Sequence, residues 1–197
     1  MSVKNKISIP VFHGSLTGDI KEFHPCTHFG TREQAIFCAI RQAIEINRND
    51  NKIYLYACSL EADECAIHHM SKDWHSPKVV ATLYHYLIDT NRADIQAELW
   101  RKYYRDPKIA IDDPIYLKLL DENMSEKGHQ VLSYDNKHEG IGVSYMALYG
   151  ACVAISSVIE VSEEDVRNVF LDNQEYFSMT FGTMQKVLHF EDVFGSR

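Results

Sequence analysis

The sequence contains no apolar run long enough to cross a bilayer, no internal repeat and no low-complexity tract. A membrane-spanning helix needs about 20 consecutive apolar residues, and the apolar segments of this chain are much shorter. The polar N-terminus, residues 1–6, leads into a short apolar segment and not into the core of a signal peptide. We therefore expect a soluble protein that is cytoplasmic, or is delivered into a host or competitor cell without a cleaved signal peptide.

The sequence also lacks an excess of basic residues, because it has 20 Lys and Arg against 28 Asp and Glu, which gives a net charge of -8. Non-specific nucleic-acid binding depends on a basic face, and docking on anionic membranes requires the same sign of charge. The charge therefore argues against both classes of partner. A small phosphorylated ligand stays open, because a few local hydrogen-bond donors are enough to hold it.

The cysteines do not form the even, regularly spaced set of a disulfide framework, since there are five of them and they are scattered. Most lie in apolar segments, which predicts reduced thiols and a reducing compartment. The 197 residues, 45% of them hydrophobic and 24% charged, fit a single globular domain over residues 1–197. The cysteines are Cys26, Cys38, Cys58, Cys65 and Cys152.

The first third of the chain predicts a strand, a helix and a second strand. Apolar and other residues alternate from Ile7 to Val11, and Pro10 marks this strand as an edge or a strand end. Thr31 and Gln34 have the spacing of a capping box and predict the start of a helix. Residues 53–58 then form a largely apolar strand. The apolar face of the helix consists of Ile36, Ala39, Ile40, Ala43 and Ile44.

Helical periodicity dominates the middle of the chain, and we interpret residues 61–127 as a helical insertion packed on a sheet. Strand character returns at residues 131–134 and again at residues 144–149. Together these segments predict an α+β fold. The apolar stripes of the insertion are Val79, Val80, Leu83, Tyr84, Leu87 and Ile88, and Ile95, Leu99, Trp100 and Tyr103, with turns at Asp106-Pro107 and Asp112-Asp113-Pro114.

Two short motifs point to chemistry. Val11-Phe12-His13-Gly14-Ser15 ends the first strand with an imidazole, an unshielded backbone and a hydroxyl, which together can hold a polar ligand. Fifteen residues after His13, His28-Phe29-Gly30-Thr31 opens the helix. A third element, Asn136…Glu139-Gly140…Ser144-Tyr145, lies in a loop that bears glycines.

In this order and spacing, the three elements resemble the ADP-ribosyltransferase superfamily, and its bacterial and phage toxin-like members in particular. The resemblance covers roughly residues 7–60 and 130–160. It implies a core split into two sheets, with the helical insertion added, and a cleft that binds NAD as a consumed co-substrate. The implied reaction is mono-ADP-ribosyl transfer to a macromolecule, a protein side chain before a nucleic acid, as in a toxin or effector.

The resemblance also implies roles for individual residues. His13 would hydrogen-bond a ribose hydroxyl, and Gly14 would present its backbone to the nicotinamide carboxamide, with Ser15 in support. Phe29 or Tyr145 would stack on the nicotinamide ring. Thr31 and Ser144 complete the expected NAD-binding residues, while Thr31 on its own is a helix cap. Glu139 is the expected catalytic carboxylate, with His13 as its partner in catalysis.

The chain departs from the family pattern at two places. His28-Phe29 stands where many members have a tyrosine, and Val143 stands where related loops often have an acid. The second departure keeps open an inactive module that binds NAD without turning it over. A metal-dependent hydrolase is a further alternative, built on two clusters of zinc-type ligands without a known zinc spacing. These clusters are His24, Cys26 and His28, and Cys65, His68 and His69 with His75 beyond them.

Overall fold

A computed structural model describes residues 5–46, 52–73, 78–92, 94–95, 98, 114–136, 139, 142–149 and 152–181, with side chains to residue 177. These residues form seven strands and five α-helices, so the α+β class is confirmed. The strands divide into one sheet of three and one sheet of four.

The first sheet is antiparallel and has the order β1-β3-β7, with β1 spanning Lys6–Ser15, β3 Tyr54–Asp63 and β7 Val153–Glu160. Helix α1, Arg32–Glu45, packs on β1. Helix α4, Glu163–Asp172, and helix α5, Gln174–Phe181, pack with α1 and this sheet around one apolar core.

The second sheet has the order β2-β6-β5-β4, in which β4 and β5 are parallel and the other pairs antiparallel. A separate apolar core forms between this sheet and two helices that contact each other. The strands are β2, Thr27–Phe29, β4, Ile67–His69, β5, Val131–Asp135, and β6, Val143–Ala147; the helices are α2, Val79–Asp89, and α3, Pro114–Lys127.

The two sheets meet where β1 passes the end of β2. The backbone N–H of Phe12 donates to the carbonyl of Gly30 at 2.9 Å, and the N–H of Gly30 donates back to Phe12 at 3.0 Å. A third apolar cluster, which includes Phe23, Phe29 and Tyr56, fills the space beside this bridge. The bridge therefore brings the His13 end of β1 next to His28 and Phe29 of β2.

The local predictions for the first strand and the first helix are confirmed. β1 is an edge strand, which is one of the two positions that Pro10 predicted for it. The Thr31 hydroxyl accepts from Gln34 N at 3.3 Å, and Gln34 Oε1 accepts from Thr31 N at 2.8 Å, which is the expected capping box. The predicted apolar face of α1 is buried throughout: Ile36, Ala39, Ile40, Ala43 and Ile44.

The helical region starts later than the sequence pattern predicted. β3 continues to Asp63, a 3₁₀ turn covers Glu64–Ala66, and β4 follows before α2 begins at Val79. Cys65, His68 and His69 therefore lie in a turn and a strand, not on a helix. Within the described ranges, no helix has the length and apolar character needed to span a membrane. Leu99, Trp100, Tyr103 and the predicted turns at 106–107 and 112–113 lie outside the described residues.

Candidate functional site

A cavity of about 440 Å³ lies at the junction of the two sheets. Its walls come from the end of β1, from β2, from one face of α1 and from the segment that joins β5 to β6. Five residues that the motifs predicted line it, namely His13, Gly14, Phe29, Glu139 and Ser144. The fold thus brings together motifs that are more than 100 residues apart in the chain.

His13 is oriented by the backbone of β2. Its Nδ1 lies 3.0 Å from the carbonyl oxygen of His28, which can only accept, so Nδ1 donates and Nε2 of the neutral ring is an acceptor. The ring packs edge-on against Phe23, with centroids 5.1 Å apart, and lies 5.7 Å from Phe29. Burial lowers the pKa of His13, and the bond to His28 opposes that shift. His13 therefore presents a neutral acceptor nitrogen at neutral pH.

The two residues after His13 have different environments. Gly14 lines the cavity, but its lack of a side chain also serves packing, since an added Cβ would lie 1.8 Å from the carbonyl oxygen of Ala35. Ser15 is not among the described residues that line the cavity. Its hydroxyl accepts from Thr17 N at 3.1 Å and so stabilises the turn after β1.

Of the two aromatic residues predicted to stack on a ligand, Phe29 lines the cavity and Tyr145 does not. Phe29 is only 2% exposed and packs edge-on against Phe23 at 4.9 Å, so most of its ring faces the core. Tyr145 neighbours Phe29 in the β2–β6 pairing and packs on the third apolar cluster. Phe12 of the first motif, and Tyr134 and Tyr176 outside the motifs, are further aromatic residues of the wall to which no role was assigned.

Glu139 is held from two sides. Arg41 Nη1 of α1 lies 2.7 Å from Glu139 Oε1, and Asn136 Nδ2 donates to Oε2 at 2.7 Å. The backbone N–H of Glu139 donates to Asn136 Oδ1 at 3.0 Å. The carboxylate is only 17% exposed. The predicted acid is therefore at the cavity, and an ion pair engages it there.

A hydrogen-bonded chain of buried side chains connects Glu139 to the helix cap. Asn136 Nδ2 also donates to Ser144 Oγ at 3.0 Å, and Ser144 Oγ donates to Gln34 Oε1 at 3.3 Å. Gln34 Oε1 also accepts from Thr31 N, so the predicted NAD-binding residue Thr31 acts as a cap and is not among the described lining residues. Gln34 and Asn136 are 2% and 3% exposed, which makes this chain part of the cavity floor.

His28 contributes a neutral imidazole to the wall. Its Nδ1 lies 2.8 Å from the hydroxyl of Tyr134. Burial lowers the pKa of His28 to about 4, and burial raises the pKa of Tyr134. The two side chains therefore form an uncharged pair at neutral pH.

The motifs did not single out the contribution of α1, although a periodic signal is present. Gln34, Cys38, Arg41 and Glu45 recur at helical spacing and all line the cavity. Such a stripe is typical of a solvated helix face, so the sequence alone gave no reason to assign it to a site. The pKa of the Cys38 thiol is raised well above its usual value, first by burial and second by the charge of Glu139.

The proposed metal clusters do not assemble. His24 is exposed, and Cys26 has a left-handed backbone with φ of 65°, which breaks the alternation expected of a strand. His68 stacks on His129 with centroids 4.7 Å apart. Within the part of the chain that is described, no group of three or more His, Cys, Asp or Glu side chains is arranged to hold a metal ion. His75 lies outside the described residues.

All five cysteines are free thiols. Four of them are buried or half-buried, and Cys65 alone among the five is exposed.

Comparison of the chain with protein-family models, with curated proteins and with solved structures finds no match in any of the three. Any functional assignment therefore depends on the residues and the geometry of the site itself.

Proposed function

We propose that this protein is a mono-ADP-ribosyltransferase that cleaves NAD and transfers ADP-ribose to a protein acceptor. The observation that carries the proposal is that His13 and Glu139 line one cavity and that a second group orients each of them. A core split into two sheets, with the cavity at their junction, is what the resemblance to the ADP-ribosyltransferase superfamily implies. A toxin or effector is the setting that the same resemblance implies.

NAD supplies the ADP-ribosyl group: the bond to nicotinamide breaks, its electron pair leaves with nicotinamide, and the acceptor nucleophile adds to the ribosyl carbon and loses a proton. His13 accepts a hydrogen bond from a ribose hydroxyl at Nε2, the nitrogen that the His28 carbonyl leaves as an acceptor. Glu139 stabilises the positive charge that develops on the ribose, as carboxylates do in other glycosyl transfers.

The cavity suits such a ligand in size and in polar groups. A volume of about 440 Å³ falls in the range of small-molecule sites. The wall offers hydrogen-bonding side chains from Gln34, Asn136 and Ser144. Two further carboxylates, Glu45 and Asp73, add negative charge that favours a cationic pyridinium ring.

A second candidate function, an NAD-binding module without turnover, is favoured by the ion pair at Glu139. Both carboxylate oxygens are engaged, by Arg41 and by Asn136, and a neutralised carboxylate stabilises a positive transition state less. Val143, in place of an acid, points the same way. Such a module binds NAD and releases no nicotinamide.

Incubation of the purified protein with labelled NAD and a host-cell lysate tests the proposal. Nicotinamide release and label transfer are measured for the wild type, for His13→Ala and for Glu139→Gln. We expect the wild type to be active and each variant to lose at least about 100-fold, the usual effect of removing one group that stabilises a transition state. His24→Ala and Glu33→Gln are matched controls, because both side chains are exposed and lie outside the lining residues.

The outcomes separate the two candidates. NAD binding by calorimetry without nicotinamide release supports the module and contradicts the enzyme. Label transfer that persists in both His13→Ala and Glu139→Gln contradicts the assigned roles. Failure of the wild type to bind NAD contradicts both functions. Circular dichroism of each variant confirms that a loss of activity is not a loss of fold.

A further inference from the structure

The charge of the cavity is uneven. Arg41 is the one side chain with a permanent positive charge among the described lining residues, whereas Glu45, Asp73 and Glu139 are acids. His13 and His28 add no positive charge at neutral pH, because burial lowers the pKa of both. A ligand that carries phosphate groups therefore has one strong cationic partner in this wall.

Arg41 is placed to change partners. Its Nη1 lies 2.7 Å from Glu139 Oε1, and its Nε lies 4.0 Å from Glu45 Oε1 on the next turn of α1. The side chain is 26% exposed, which leaves it more solvent contact than Glu139. Its flexible stem can turn the guanidinium toward a ligand without movement of α1.

Glu139 is also held by a residue other than Arg41. Asn136 Nδ2 donates to Oε2 of the carboxylate at 2.7 Å, and Asn136 Oδ1 accepts from the backbone of Glu139 at 3.0 Å. Asn136 is itself fixed, because it is buried and donates to Ser144. Removal of Arg41 therefore changes the charge balance at Glu139 more than its position.

We propose that Arg41 binds the diphosphate of the dinucleotide and, by exchanging its ion pair with Glu139 for a phosphate, frees the carboxylate to act on the ribose. This inference rests on the proposed function. A guanidinium forms two parallel hydrogen bonds to phosphate, and a diphosphate carries more charge than one carboxylate. Ligands without phosphate leave the ion pair between Arg41 and Glu139 intact, so the cavity distinguishes dinucleotides from nucleosides.

Calorimetric binding of ADP and of adenosine at low salt tests this inference without any turnover. We expect Arg41→Gln to weaken ADP binding at least about tenfold, the scale of one lost charge-assisted hydrogen bond, and to leave adenosine binding unchanged. Glu139→Gln should strengthen ADP binding, because Arg41 no longer has to leave an ion pair. Arg32→Gln is the matched control, since Arg32 lies on the same helix and pairs with Asp165 outside the lining residues.

Each result bears on one proposal. Equal ADP affinity of the wild type and Arg41→Gln overturns the phosphate role, whatever the NAD assays give. The expected ADP pattern together with no nicotinamide release from the wild type overturns the proposed enzyme and retains the phosphate role. If Arg41→Gln does not fold, Arg41→Lys and Glu139→Gln decide the question. If Glu139→Gln then binds ADP more weakly than the wild type does, the proposed exchange of Glu139 for a phosphate by Arg41 is overturned.

Discussion

Gly14 of β1 lies against the carbonyl group of Ala35 in α1, so close that a Cβ on Gly14 would be 1.8 Å from that oxygen. The same Cβ would lie 3.1 Å from Ala39 Cβ. The glycine is therefore required for the close approach of strand and helix. This approach brings the polar stripe of α1, including Arg41, to the cavity beside His13.

We expect Gly14→Ala to destabilise the fold by at least about 3 kcal/mol, the upper end of the usual cost of overpacking. The added Cβ would meet a backbone carbonyl and not a flexible side chain, so α1 itself would have to move. Urea unfolding measures the loss. Gly128→Ala is the control: a Cβ there meets nothing within 4 Å, so only its φ of 76° counts, at about 1–2 kcal/mol. A Gly14→Ala variant as stable as Gly128→Ala contradicts this account of the helix packing.

The parts of the fold that the sequence predicted are those set by local rules. The alternation of β1, the Thr31–Gln34 capping box and the apolar face of α1 depend on contacts within a few residues or on burial of one face. His13 was identified as a site residue because it ends a strand in a motif. Its neutral state comes from burial, and the orientation of its ring comes from Phe23 and the His28 carbonyl. The sequence pattern brought neither of these two groups to His13.

The remaining features depend on long-range contacts. Arg41 and Cys38 belong to the site only because β6 and the loop at Glu139 lie across the cavity from α1, about 100 positions later in the chain. β4 has only three residues and pairs in parallel with β5, more than 60 positions away. Three residues are too few to show a period, and the polar stripe of α1 has the period of any solvated helix face, so no local pattern identified them as part of a site.

We expect Gln34→Leu to cost about 1–3 kcal/mol, because it leaves buried polar partners unsatisfied. Gln34 accepts from Thr31 N and from the Ser144 hydroxyl, and it donates to the carbonyl of Gly142 at 3.5 Å. Thr31→Ala, which removes only the cap, should cost about 1 kcal/mol. Urea unfolding of Gln34→Leu, Ser144→Ala and the double variant should give non-additive losses. Strictly additive losses would show that Gln34 and Ser144 act separately.

Cys38 should react slowly with iodoacetamide, because burial raises the pKa of its thiol and the charge of Glu139 raises it further. Exposed Cys65 serves as the internal standard. Peptide mass spectrometry should find Cys65 labelled first. Glu139→Gln removes the neighbouring charge, lowers the pKa of Cys38 and should speed its labelling about two- to tenfold. Labelling of Cys38 before Cys65 in the wild type would contradict its burial beside a carboxylate.

The stability of the protein should fall as the pH drops below 6.5, in part through His28. Burial lowers the pKa of His28 to about 4, and the nearby charge of Glu139 opposes that shift. Between pH 6.5 and 4 the unfolded chain therefore binds a proton that the folded chain does not, so the free energy of unfolding decreases as the pH decreases. At about 1.4 kcal/mol for each pKa unit, His28 contributes at most about 3.5 kcal/mol of this loss.

Urea unfolding at several pH values compares the wild type with His28→Gln, which keeps a polar side chain for Tyr134 and removes the titration. We expect the variant to have the shallower pH dependence between pH 6.5 and 4, because other groups still titrate but His28 does not. His24→Gln is the matched control, since it makes the same replacement at an exposed histidine outside the cavity. Equal slopes for the wild type and His28→Gln would mean that His28 takes up a proton in the folded protein. The Tyr134 pair would then be charged at mildly acidic pH, and the cavity would bind anions more tightly there.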